Sequence, residues 1–150
     1  MRVFVQRSEL DVDLPEILRA TRRYFDVTLD VEALTRIPNQ GVEVRIRLRS
    51  DKHDFGAVLA IKSRRADAAD LEAARIAEQR GRAAGMSQLA DRCPTIWEVS
   101  AEGPDSELAG LNLCAILAAV GLGPVLPDDG STLFGVRGAM ERLEKLLQSR

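Results

Sequence analysis

Histidine is nearly absent from this chain: His53 is the single one in 150 residues. Cysteine is almost as scarce, with only Cys93 and Cys114. One imidazole and two distant thiols cannot close a standard zinc site, which takes four nitrogen or sulfur ligands. Two cysteines also argue against a disulfide-stapled secreted scaffold, which carries more of them at tighter spacing. Aromatic residues make up 4% of the chain, so Ala, Leu, Val and Ile must fill the core and few rings remain for stacking on bases. An excess of one charge is missing too. The 21 Lys and Arg and 23 Asp and Glu give a formal charge of −2. Nothing global draws the chain to nucleic acid or an anionic membrane, so a basic partner site must be local.

Long apolar runs are also lacking. The longest, residues 108–122, is interrupted by Asn112 and is short for a bilayer span. The N-terminal stretch MRVFVQRSELD turns polar too early for a signal peptide. GLGPVLPDDGS lacks the lysine of a phosphate-binding loop, and no G-x-G-x-x-G links a strand to a helix. No serine sits in a nucleophile elbow. These absences lead to the expectation of a cytoplasmic protein with free thiols, without cofactor, metal or membrane attachment.

What is present is ordinary globular composition, 45% hydrophobic and 29% charged, at a length that suits one domain with a real core. Met1 to Arg7 alternates as a strand. DLPEILRATRRYF reads as a helix, with Asp13 as N-cap, Glu16 three residues on and Pro15 in the first turn. VTLDV, residues 27–31, is an optional short strand. GVEVRIRLRS, residues 41–50, is the clearest strand, and FGAVLAIKS returns from it after the turn SDKHD. The second of these is nearly all apolar before Lys62, as in a central strand. Residues 67–93 follow helical spacing with a small-residue face, interrupted near Gly81 and Gly85. TIWEVSAE is a further strand, and ELAGLNLCAILAAVGLG is a helix apolar on every side, ended by Gly121, Gly123 and Pro124. A tight hairpin around DDG and an amphipathic last helix complete the chain.

This pattern predicts an α+β domain over residues 1–150, with a largely antiparallel sheet and helices mainly on one face. Without the optional strand, residues 1–101 have the split βαβ order of a ferredoxin-like fold, βαββαβ. Residues 102–150 would then be a helix–hairpin–helix extension packed on that core. With the optional strand, a three-stranded meander lies between the helices and other α+β folds compete.

Two surfaces are candidates for function. Arg45, Arg47 and Arg49 line one side of a strand, with Lys62 and Arg64 nearby in sequence. Such a face suits an acidic protein. RNA-binding domains of ferredoxin-like order use the same helix-free face, but they stack bases on strand aromatics, and here only Phe4 and Trp97 could supply a ring. The plain alternative is a solvated face on which long basic side chains cover the strand. The second surface is the all-apolar helix. If exposed, Leu111, Ile116, Leu117 and Val120 would anchor a partner or a second copy; otherwise the last helix covers them. Catalysis has thin support. Cys114 reads as a small buried hydrophobe, and Asp11, Asp13, His53 and Asp54 are the residue types to watch. Asp13 is better explained as a cap, and Asp128 and Asp129 as turn residues. The leading expectation is a non-catalytic protein-interaction module, such as an adaptor, chaperone, immunity-type or assembly subunit, with the apolar helix as its route to self-association. The alternative is nucleic-acid or anionic-ligand binding through the arginine face.

Overall fold

Alternation shapes the sheet. In β3 (Gly41–Ser50), Val42, Val44, Ile46 and Leu48 are buried, while Glu43, Arg45, Arg47 and Arg49 are exposed. Its neighbours β2 (Thr28–Ile37) and β4 (Phe55–Arg65) pair with it antiparallel. The computed structural model describes residues 1–150 and adds β1 (Arg2–Val5), β5 (Thr95–Ala101) and β6 (Val125–Leu126). Together they form one antiparallel sheet in the order β2-β3-β4-β5-β1-β6.

The optional strand exists, and it is longer than the alternation suggested. β2 runs ten residues although Leu29 is its only buried residue. Pairing with β3, rather than burial, makes it a strand, and a bulge between Val31 and Ala33 breaks its alternation. Residues 1–101 therefore read βαβββααβ rather than βαββαβ, and β1 lies between β5 and β6.

Helices cover most of one face and part of the other. α1 (Leu14–Tyr24), α4 (Ser106–Gly121) and α5 (Val136–Gln148) share one core with Val3, Val5, Val44, Leu59 and Trp97. On the opposite face, α2 (Ala68–Gly81) and α3 (Met86–Ala90) place Ala74, Ala77 and Ala90 against Phe4, Ile96 and Leu126. Alanines at these positions let the helices lie close to the strands. The same face of β2, β3 and β4 carries no helix.

Residues 102–150 are part of the core rather than a layer added to it. α4 links β5 to β6, and β1 is inserted between those two strands. The link into β6 passes tightly against β1. A Cβ at Gly123 would come within 2.0 Å of the Phe4 carbonyl oxygen, so only glycine fits. α4 is apolar on all sides because the sheet, α1 and α5 surround it. Leu111 (6% exposed), Ile116, Leu117 and Val120 are thus buried within the chain and present no docking surface. Asn112 is satisfied locally, its Nδ2 donating to the Leu108 carbonyl at 3.0 Å. The expected hairpin reduces to a single bridge between Val125 and Phe134.

Candidate functional site

The helix-free strip is built by register. Opposed residues in an antiparallel ladder project to the same side. Arg45 faces Ala60 on β4 and Ala33 on β2; Arg47 faces Val58 and Asp30; Arg49 faces Gly56 and Thr28. Lys62 faces Glu43 and Glu98, and Arg64 lies two residues further along the same side. All five basic residues singled out from the sequence therefore project from one sheet face.

They meet different fates. Arg64 is consumed by the fold. Its guanidinium donates to both oxygens of Asp70, at 2.6 and 2.8 Å, and to Glu98 at 2.6 Å. Arg2 adds a bond to Asp70 at 2.9 Å, and the backbone N–H of Asp67 another at 2.9 Å. The hydrogen bonds to Asp70 lift the Arg64 pKa, against the opposing effect of burial. Arg64 thus fastens α2 to the sheet rather than standing open with the other basic residues. Arg47 pairs with Glu32, the bulged residue of β2, at 2.8 Å. Arg45, Arg49 and Lys62 are exposed and enter no ion pair.

Beside Arg45 lies a shallow groove of about 410 Å³, floored by Val58 and Ala60 and edged by Glu43, Ser100 and Glu102. No ring reaches this face. Trp97 is fully buried on the opposite side of the sheet, and Phe4 is fully buried under α2 and α3. Trp97 Nε1 has no hydrogen-bond partner in that interior. Base stacking, which contributes about 1–3 kcal/mol per base in single-strand binders, has nothing to use here.

The residues watched for catalysis are not gathered. Asp11 pairs with Arg36 at the far end of β2, while His53 and Asp54 sit in the β3–β4 turn at the other end of the sheet. Asp13 bonds Arg7 and accepts from the Glu16 N–H as the α1 cap. Asp129 accepts from the Ser131 N–H, and Asp128 bonds the Met1 ammonium. Burial pushes the Cys93 thiol up to about 11 and the Cys114 thiol up to about 12. Their Sγ atoms contact the Leu89 carbonyl and Met1 Sδ, not His53. No group of three or more His, Cys, Asp and Glu is placed to hold a metal ion. No helix is long and apolar enough to cross a membrane.

Sequence reasoning missed two features. The small residues of β4 that open space beside the arginines were read only as core. The exposed apolar pair Val31 and Leu34 on β2 was hidden by the bulge. The fold and this face define an α+β domain with one partly bare antiparallel sheet. No family model matches the chain, and neither do the curated proteins or the solved structures with which it was compared.

Proposed function

We propose that this chain is a non-catalytic interaction module that docks an acidic segment of a partner protein on its helix-free sheet face. One observation carries the reading. Arg45 and Arg49 are each flanked on both neighbouring strands by small or neutral residues, Ala33 and Ala60 for one and Thr28 and Gly56 for the other. The arrangement leaves room for a carboxylate beside each guanidinium. Four residues of strand separate the two arginines, which is about 13 Å. The partner segment this fits carries two acidic groups at that spacing and an apolar side chain between them, over Val58. Arginine suits the task because its planar fork binds carboxylates in a bidentate way. The missing rings favour a protein over a polynucleotide, since no base can stack on this face. Two free thiols fit a reducing, cytoplasmic setting.

The test is fluorescence anisotropy with a labelled peptide of glutamates spaced around leucines, at low ionic strength, with a labelled single-stranded oligonucleotide in parallel. Peptide binding that weakens with salt and disappears in Arg45→Glu/Arg49→Glu supports the reading. Absence of peptide binding overturns it. Oligonucleotide binding without peptide binding replaces it with the nucleic-acid alternative.

A further inference from the structure

The two edges of the sheet are built differently. β6 is two residues long, and the Val125–Phe134 bridge occupies its outer side. β2 is ten residues long and pairs only through its inner side with β3. An open edge of that length is a template for another strand. Natural edges are often blunted by bulges. The bulge in β2 has a further effect: it places Val31 and Leu34, three residues apart, on the same side of the strand, where they are 40% and 43% exposed. Leu29 and Arg36 share that side; Asp30, Ala33 and Thr35 project to the other.

We infer that β2 pairs antiparallel with β2 of a second copy of this chain, about a twofold axis between Glu32 and Ala33. In that register Val31 meets Leu34 of the partner and Leu34 meets its Val31. Four exposed apolar side chains thereby become one buried cluster at the edge of the helical layer. The sides of the strand match throughout: Asp30 lies opposite Thr35, Glu32 opposite Ala33, and Leu29 opposite Arg36. A slip by one residue would set helix-side residues against open-side ones. Charge agrees with the same register. Arg45 stands beside Ala33 on one side, and Glu32 of the second copy would stand beside Ala33 on the other. Across so small a residue Glu32 of the second copy, which stays paired with its own Arg47, adds favourable charge near Arg45 while the Ala60 side of Arg45 stays open. The contact is isologous, so it forms twice and closes at the dimer. The two helix-free faces then lie on the same side of one continuous sheet, and Arg45, Arg49 and Lys62 of each copy remain open.

This inference does not rest on acidic-peptide docking. Val31 and Leu34 lie on the other side of the sheet from the arginines, so its failure leaves the docking reading standing. Light scattering with size-exclusion chromatography on the full chain should give twice the 16.5 kDa monomer mass. Val31→Lys/Leu34→Lys should weaken association by roughly tenfold or more, since apolar anchors at the centre of an interface dominate its affinity. Circular dichroism should show that variant still folded, because both positions are already half in solvent. The register is read by cross-linking. A mixture of Val31→Cys chains with Leu34→Cys chains should form a disulfide-linked dimer under mild oxidation, and neither variant alone should. A monomeric mass, a dimer insensitive to the lysine pair, or equal cross-linking by either single variant overturns the inference.

Discussion

One face of this sheet is covered at one end and bare at the other, and the same residue type behaves differently in the two halves. Under α2, Arg64 and Arg2 close on Asp70, a carboxylate that is 1% exposed. On the bare half, Arg45 and Arg49 stand between small neutral neighbours with no acid in contact. Strand alternation gives an arginine its side of the sheet. What lies above that side decides whether it becomes a structural clasp or an open donor. A buried carboxylate with several charge-assisted donors holds a helix in place, whereas an exposed guanidinium with no acid in contact keeps its donors in water.

Removing the acid at the centre of the covered half should have the largest effect. Asp70→Asn leaves Arg64 and Arg2 facing a neutral amide at the foot of α2 and weakens the reciprocal cap with Asp67. Breaking a buried ionic cluster in this way costs about 3 kcal/mol or more, read as a fall in the urea midpoint at unchanged slope. The pH dependence follows from the same group. Burial pushes the Asp70 carboxyl up, but hydrogen bonds from Arg64, the Asp67 N–H and Arg2 outweigh it and hold the group well below the usual carboxylate range. Its folded value is thus below its unfolded value of about 3.9. The stabilisation it brings is present above that pH and is lost as pH falls toward the folded value. Acid titration of stability should show this loss below about pH 4 in the native chain and a flatter curve in Asp70→Asn. Identical acid limbs would mean that the cluster does not stabilise the fold.

Packing offers the next contrast. Ala77 is fully buried between α2 and the strands, and Ala60 lies on the bare half beside Arg45. The same enlargement should separate the two halves. Ala77→Leu overfills the seam and should cost about 1–3 kcal/mol. Ala60→Leu projects over an open groove and should change stability by less than about 0.5 kcal/mol. It should also obstruct the acidic peptide. Equal melting temperatures for the two variants would erase the distinction between covered and bare sheet.

Such contrasts were only partly legible in the sequence. The alternation of GVEVRIRLRS gave the strand and its two sides, Asp13 gave a helix start, and the all-apolar run gave a helix needing cover on every side. These are local patterns, and local physics determines them. Partnership across the sheet is not local. Nothing in Lys62 or Arg64 distinguishes the open cation from the clasped one, because the difference is Asp70, which is buried by a helix whose position depends on the whole topology. β2 was obscured for a related reason. It is a strand by pairing with β3, its burial signal is confined to Leu29, and its bulge scrambles the period on which sequence reading relies. The apolar helix showed the converse limit: its composition demanded cover but did not identify α1 and α5 as the source.

The smallest stability effect is expected at one of the two arginines proposed to dock the partner. Arg49→Ala removes a side chain with no ion pair from a strand whose apolar face is already buried. It should shift stability by less than about 0.5 kcal/mol, the residual change reflecting lost cover of the strand by the aliphatic stem. Arg64→Ala, on the same sheet face, should cost clearly more, because it strands the buried Asp70 carboxylate with Arg2 as its remaining cationic partner. Differential scanning calorimetry on the two variants separates these outcomes. Binding should rank them in the opposite order. Arg49→Ala should weaken the acidic peptide and lessen the salt dependence of its affinity, since one exposed charge contact is lost. Any effect of Arg64→Ala on binding should follow only from its loss of fold. If Arg49→Ala destabilises the chain as much as Arg64→Ala, then Arg49 is held by the fold and the bare face is not an open donor surface.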